Sequence, residues 1–477
     1  MARLAKALPA VVGGLLLTSA FPPFDLRLMV FVALAWWIAS IKDLGVKGSF
    51  KSGYILGFIF LLGQFQFLEE LTARWTGSHW LAFFPFLICC FLGSFYFGLT
   101  GWLIWICWDR KKPMLIPLVW AGVEVFRSYI PVFAFPYGLL PSPLWPYPML
   151  IQVASVGMIY AASAWIALFN VLMAQMILRL PYSQKGTTVF FLVLGASVAT
   201  SLAPIEGRAF RVAIGQPGVD LAFGNPDLNR VNINNSLTSF ETTAKANGAK
   251  LLVLPEGISE GHIPIDPELP TLYGGQRPEG PLVHQSAFAV YRGKSSYIDK
   301  TRLVIFGEFV PGRHIIPFLD KFNLPSGDMD AGKDVEAIEM DGTRIGPVIC
   351  FEGLFPDIAY RQALNGAQLL TVMSVDDWYM GTGAPEQLKS ASVFRAVETG
   401  LPLVRAATQG YSFAVDQRGR GLTEAPLGKP ELLTADLLLG KPPERQIPWK
   451  FFFPLIALLS VPTVVGVRIL SKRKGLS

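Results

Sequence analysis

Three residue types that together can carry out acyl chemistry stand in the second half of this chain. Cys350 follows the apolar run Ile345 to Ile349 and is followed at once by Phe351, Glu352 and Gly353. A buried strand is therefore expected to end in a tight turn that carries a thiol beside a carboxylate. Glu256 closes the run LLVLPEG in the same manner, and Lys300 sits in SSYIDKTRLVIFGEFVP. All three can project from one end of a sheet into one site. A thiol with a pKa near ~8.5 needs a base or a positive neighbour to attack at neutral pH. Glu256 can take the thiol proton, and Lys300 can hold the oxyanion of a tetrahedral intermediate. Cys89, Cys90 and Cys107 lie far upstream in a long apolar run, which leaves Cys350 without a disulfide partner in the polar half. Taken singly, each residue has a plainer reading: a small buried hydrophobe, a turn cap, a solvated loop lysine. Their joint pattern reverses it.

The elements that must position these groups belong to a membrane protein. With 52% hydrophobic and 16% charged residues among 477, and a mean hydropathy of +0.42, the chain is too apolar for an ordinary soluble protein. The net charge of +6 comes from short basic clusters between apolar runs, where it sets topology rather than binding nucleic acid. Candidate spans run Leu8 to Phe21, Leu28 to Ile41, Tyr54 to Leu68, Trp80 to Trp108, Met114 to Ile130, Leu150 to Leu178, Thr188 to Ala203 and Trp449 to Leu470. With the N-terminus inside, Lys42, Lys47 and Lys51, then Arg110 to Lys112, then Arg179 and Lys185, and finally Lys472 to Lys474 all fall on the cytoplasmic side. The loops opposite hold Asp25 and Arg27, then Glu69, Glu70 and Arg74, then the uncharged stretch Pro131 to Pro148. Residues 1–204 are thus expected to be a seven-span membrane domain, 205–447 an extracytoplasmic domain, and 448–477 a last span with a basic tail. In the middle domain, strands are expected over Arg211 to Gln216, Lys250 to Leu254, Ile345 to Cys350, Leu369 to Ser374 and Leu403 to Ala407. Helices are expected over Asp357 to Leu364 and Pro385 to Glu398, which makes the class α/β.

PEG around Glu256, DKTRLVIFGEFVP around Lys300 and CFEGLFPD around Cys350 resemble the three catalytic blocks of the nitrilase, or carbon-nitrogen hydrolase, superfamily. With seven spans before and one after, the whole chain resembles the bacterial apolipoprotein N-acyltransferases. FPPFD from Phe21 to Asp25, the set Trp120, Glu124 and Arg127, and FPY from Phe135 to Tyr137 also resemble motifs of that family. The resemblance implies a nitrilase-like αββα sandwich outside the cytoplasmic (inner) membrane, working as a monomer without a cofactor. It implies an acyl chain taken from a membrane phospholipid onto Cys350 as a thioester and passed to the α-amino group of the diacylglyceryl-cysteine of a lipoprotein. Glu256, Lys300 and Cys350 carry over as the catalytic residues, with Glu308 and Glu352 as supporting carboxylates. Phe351, Trp378, Glu124 and Arg127 stand as candidate substrate contacts. A thioester keeps enough free energy for aminolysis, which splits one hard transfer into two.

Glu124 and Arg127 share a helix face at i, i+3 and can neutralise each other, either as a strut or as a headgroup contact. Phe133, Phe135, Tyr137, Trp145 and Tyr147 are expected at the outer interface, as a belt or a lipid entrance. The scattered His79, His262, His284 and His314 give no metal spacing. Departures from the family pattern are Val375 in place of an asparagine, Leu388 in place of a histidine after Gln387, and Leu401 in place of an arginine after Glu398. Phe223 is the nearest counterpart of a family tryptophan. A membrane-tethered amidase with the same three residues, and a lipoprotein-binding homologue without activity, are the other readings; retention of all three residues disfavours the second.

Overall fold

The computed structural model describes residues 2–131, 134–181, 183–259, 268–313, 315, 319, 321, 324, 327–440 and 448–473. Phe133, His262, His314 and Lys474 lie outside the described residues. The chain divides into two compact units, one of residues 1–202, 381–387 and 449–477, the other of residues 203–380 and 388–448.

The first unit is helical: α1 (Ala2–Ser19), α2 (Ala35–Ile41), α3 (Gly45–Gln64), α4 (Gln66–Thr76), α5 (His79–Asp109), α6 (Ile116–Tyr129), α7 (Pro148–Ile151), α8 (Ala154–Ile177), α9 (Gln184–Leu202) and the C-terminal helix Phe452–Arg473. Among the described residues, four stretches are long and apolar enough to cross a membrane: His79–Asp109, Ala154–Ile177, Gln184–Leu202 and Trp449–Ile469. The pair α3 and α4, bent by 49°, passes the same test when taken together and makes a fifth if it is one broken span rather than a re-entrant loop. The stretch holding Glu69, Glu70 and Arg74 is therefore helix rather than the expected loop. It ends at Gly77, whose φ of 69° is the left-handed cap a glycine accepts freely, and Ser78 then opens α5 by accepting from Leu81 N. α3 and α5 pack through small residues: a Cβ on Gly53 would stand 2.2 Å from Phe97 O.

The second unit holds β1 (Arg208–Gln216), α10 (Pro226–Ala246), β2 (Leu251–Val253), β3 (Thr271–Glu279), β4 (Leu282–Tyr291), β5 (Lys294–Asp299), β6 (Ile338–Met340), β7 (Thr343–Ile349), α11 (Pro356–Leu364), β8 (Leu369–Ser374), α12 (Ala384–Thr399, its first turn grouped with the other unit), β9 (Leu403–Ala407), β10 (Phe413–Val415), β11 (Gly421–Glu424) and β12 (Glu431–Leu439). Two six-stranded sheets result, ordered β12-β1-β2-β3-β4-β5 and β11-β10-β9-β8-β7-β6. Their facing sides share one core, in which Val212, Ile214, Val253 and Leu272 meet Ile345, Ile349, Leu369 and Met373. Ile233, Leu237, Phe240 and Ala244 of α10 cover the outer face of the first sheet over Ala213, Leu252 and Tyr273. On the second sheet, β7, β8 and β9 run parallel, joined through α11 and α12. β8 and β9 are buried throughout and largely apolar, interrupted by Thr371 and Ser374 in one and by Arg405 in the other, which is why they were visible in the sequence.

Candidate active site

Parallel strands with helical crossovers gather their C-terminal ends, and the groups with chemical potential stand there. Cys350 follows β7 directly and opens the 3-10 turn Cys350–Leu354 with a φ of 50°. A non-glycine residue in that region is strained, and strain of this kind concentrates at nucleophile turns. The turn is held from both sides. Arg395 of α12, fully buried and paired with Glu398 at 2.6 Å, donates to Gly353 O and Leu354 O. Glu352 accepts from Ile349 N at 3.1 Å, from Thr301 N at 2.7 Å and from Thr301 Oγ1 at 2.8 Å. Glu352 thus ties the Cys350 turn to the segment that carries Lys300.

Lys300 follows β5 and is wholly buried. Its Nζ donates to Glu308 Oε1 at 2.6 Å and lies 3.5 Å from Glu256 Oε1. Glu308 is itself fixed by Val304 N, which donates to its other oxygen at 2.9 Å. Burial raises the Glu256 carboxyl above the usual range against the pull of Lys300, with Glu308 adding to the rise; Cys350 and the Val375 backbone hydrogen-bond to Glu256. The Lys300 ammonium loses solvation, but Glu256, Glu308 and Cys350 together hold it well above its ordinary value, so it stays charged. Burial pushes the Cys350 thiol up to about 12, with Glu256 adding to the rise and Lys300 opposing it. A resting thiolate is therefore scarce, and the geometry suits proton transfer to Glu256 as the sulfur attacks. Tyr379, which the sequence reading passed over, also belongs here: burial, and then the charges of Cys350 and Asp376, raise its phenol well above the ordinary value.

Of the candidate contacts, Phe351 is buried and packs edge-on against Phe355 at 5.2 Å. Trp378 meets Phe223 at 5.6 Å, so the two aromatics singled out separately are neighbours. Val375, Leu388 and Leu401 are all buried.

Glu124 and Arg127 lie in the other unit, on α6. Instead of a salt bridge to each other, of which there is none among the described residues, each holds the segment Tyr137 to Leu140. Arg127 donates to Tyr137 O at 2.8 Å and to Gly138 O at 3.1 Å, while Glu124 Oε1 accepts from Leu140 N and Trp120 Nε1. The cavity beside them is about 20 Å³, room for about one water. Tyr137, expected at an interfacial belt, is buried instead, packed with Phe65, Phe67 and Phe135. An arginine that bonds two carbonyls needs that backbone drawn inward, and the ring follows. Among the described residues, no group of three or more His, Cys, Asp and Glu side chains is arranged to hold a metal ion.

Residues 13–172 match the family described as "Apolipoprotein N-acyltransferase N-terminal domain", and residues 292–441 match "Carbon-nitrogen hydrolase". Among curated relatives, a Geobacter metallireducens protein named apolipoprotein N-acyltransferase is 27% identical, over 91% of this chain and 89% of the relative. One of the same name from Rhizobium rhizogenes is 28% identical, over 87% of this chain and 86% of the relative. Among solved structures, an amidase from Nesterenkonia sp. is 22% identical and covers 49% of this chain and 92% of its own, with a TM-score of 0.37.

Proposed function

We propose, from the matches to the apolipoprotein N-acyltransferase N-terminal and carbon-nitrogen hydrolase families and to relatives of that name, that the chain N-acylates lipoproteins through a Cys350 thioester, with a membrane phospholipid as donor. The observation that carries this reading is the buried cluster of one thiol, one ammonium and two carboxylates where β2, β5 and β7 end.

In the first half-reaction, Glu256 takes the thiol proton as the sulfur attacks the donor's ester carbonyl. Lys300 Nζ, already charged, donates to the oxyanion that forms. The C–O bond then breaks, and Glu256 returns its proton to the departing lysophospholipid alkoxide. In the second half-reaction, the α-amino nitrogen of the diacylglyceryl-cysteine attacks the thioester, Glu256 takes a proton from the nitrogen, and the thiolate leaves to be protonated again. Glu308 keeps Lys300 aimed, and Glu352 keeps the two segments in register. The enzyme is proposed to be an eight-span monomer of the inner membrane, with residues 205–447 outside it; the basic clusters between spans support that orientation.

The test is the acylation state of lipoproteins in cells that depend on this chain. Cys350→Ala and Lys300→Ala are each expected to leave lipoproteins diacylated. Triacylated product from either variant would contradict the assignment.

A further inference from the structure

The floor of the site is a second buried charged group that the reaction scheme leaves unused. Ser374, the last residue of β8, is fully buried, and its Oγ lies 3.5 Å from Cys350 Sγ and 2.8 Å from Asp376 Oδ1. A hydroxyl has one proton, so it serves one of these acceptors at a time. Asp376 is wholly buried too, and its carboxylate is held by both terminal nitrogens of Arg405, each at 2.7 Å. Arg405 is anchored further by Tyr411 O at 2.8 Å. The loop beyond closes tightly over this pair, since a Cβ on Gly410 would stand 2.0 Å from Asp376 Oδ2. A fixed guanidinium keeps Asp376 an acceptor and nothing else, and so orients the serine beneath the sulfur.

We propose that Ser374 is a further catalytic residue, whose hydroxyl turns from Asp376 to the Cys350 sulfur as negative charge forms there, with Asp376 and Arg405 as the pair that positions it. The proposal deepens the thioester reading and rests on it for the reaction served. The thiol proton goes to Glu256, while Ser374 keeps its own proton and only redirects its hydrogen bond. Asp376 retains its two bonds from Arg405 throughout. Once the S–C bond has formed and the sulfur is neutral, the hydroxyl returns to Asp376. The other groups that bear on the sulfur are Glu256 after β2, Lys300 after β5, Glu308 beyond it, Tyr379 after β8 and, by charge, Arg405 itself. Of the two cations, Arg405 stays paired with Asp376, and in this scheme Lys300 turns to the substrate oxyanion during attack. Ser374, whose hydroxyl already stands within hydrogen-bond distance of Cys350 Sγ, is then the donor the geometry places under the sulfur.

The test is alkylation of Cys350 by iodoacetamide in the full-length protein in detergent, followed by peptide mass spectrometry from pH 6 to 10 so that Cys89, Cys90 and Cys107 are resolved separately. A hydrogen bond to a charged acceptor corresponds to about ten- to hundredfold in thiolate population. Ser374→Ala is expected to slow alkylation by that factor throughout this range, all of which lies below the thiol's value of about 12. Ser374→Thr, which keeps the hydroxyl and suits a strand, is expected to restore the wild-type profile. An unchanged profile in Ser374→Ala, or a loss that threonine does not restore, overturns the proposal. Alkylation needs no acyl donor, so failure of the wild type to form an acyl adduct would count against the thioester reading alone.

Discussion

Lys300→Met removes the one cation from a cluster that cannot do without it, and the consequence can be worked out in size and in pH dependence. The ammonium is fully buried between carboxylate oxygens at 2.6 and 3.5 Å. Methionine keeps the length of the side chain but leaves Glu256 and Glu308 facing each other with no counter-charge. Removing one partner of a buried ion pair costs about 3–5 kcal/mol, or about 6–20 °C in unfolding temperature for a unit of this size. The sign with pH follows from Glu256, whose carboxyl is raised above its ordinary value even with Lys300 present. Without Lys300 it rises further. A group raised on folding contributes stability below its unfolded value, and that contribution is lost as pH rises through the folded value. The gap between wild type and Lys300→Met is therefore small at pH 5 and approaches the full figure at pH 8. Scanning calorimetry of both full-length proteins in detergent across that range measures it. A gap of equal size at both ends would refute the electrostatic reasoning, whatever the effect on activity.

Two further substitutions probe the supports of the two units. Gly410→Ala would place a methyl against Asp376, and the overpacking is expected to cost about 1–3 kcal/mol; a lower unfolding temperature together with slower alkylation of Cys350 checks it. Glu124→Ala would strip Trp120 Nε1 and Leu140 N of their acceptor, at about 1–3 kcal/mol for each orphaned donor. Glu124→Gln keeps a carbonyl oxygen there and is expected to unfold within a few degrees of the wild type in the same thermal scan.

What was legible in the sequence was what short-range pattern encodes. β7, β8 and β9 are largely apolar because most of their residues are buried, and Glu256 after β2 and Cys350 after β7 announced a carboxylate and a thiol. β3 to β5 were missed: Gly274, Gly275 and Pro278 fall inside β3, and their antiparallel pairing has no strong alternation to betray it. α10 was missed because it is rich in asparagine and threonine, poor helix formers. Asn225 as its cap, Pro226 at its first position and the spacing Ile233, Leu237, Phe240, Ala244 could have revealed it. Ser374, Asp376 and Arg405 come from two strands and the turn between them and beyond, so only the folded register joins them. Glu124 and Arg127 act on each other by charge, as their spacing suggested, but without a direct salt bridge. Their i, i+3 spacing is a real helix-face signal, but it cannot tell that the backbone at Tyr137 to Leu140 comes within reach of both, where it takes their hydrogen bonds.

The central claim is that Cys350 carries the acyl group. The measurement that tests it most directly is the intact mass of the purified full-length protein after incubation with phospholipid, repeated on Cys350→Ala and after hydroxylamine. The account predicts a gain of one acyl chain on the wild type, removed by hydroxylamine and absent from Cys350→Ala. An adduct of the same mass on Cys350→Ala, or one that survives hydroxylamine, would contradict it.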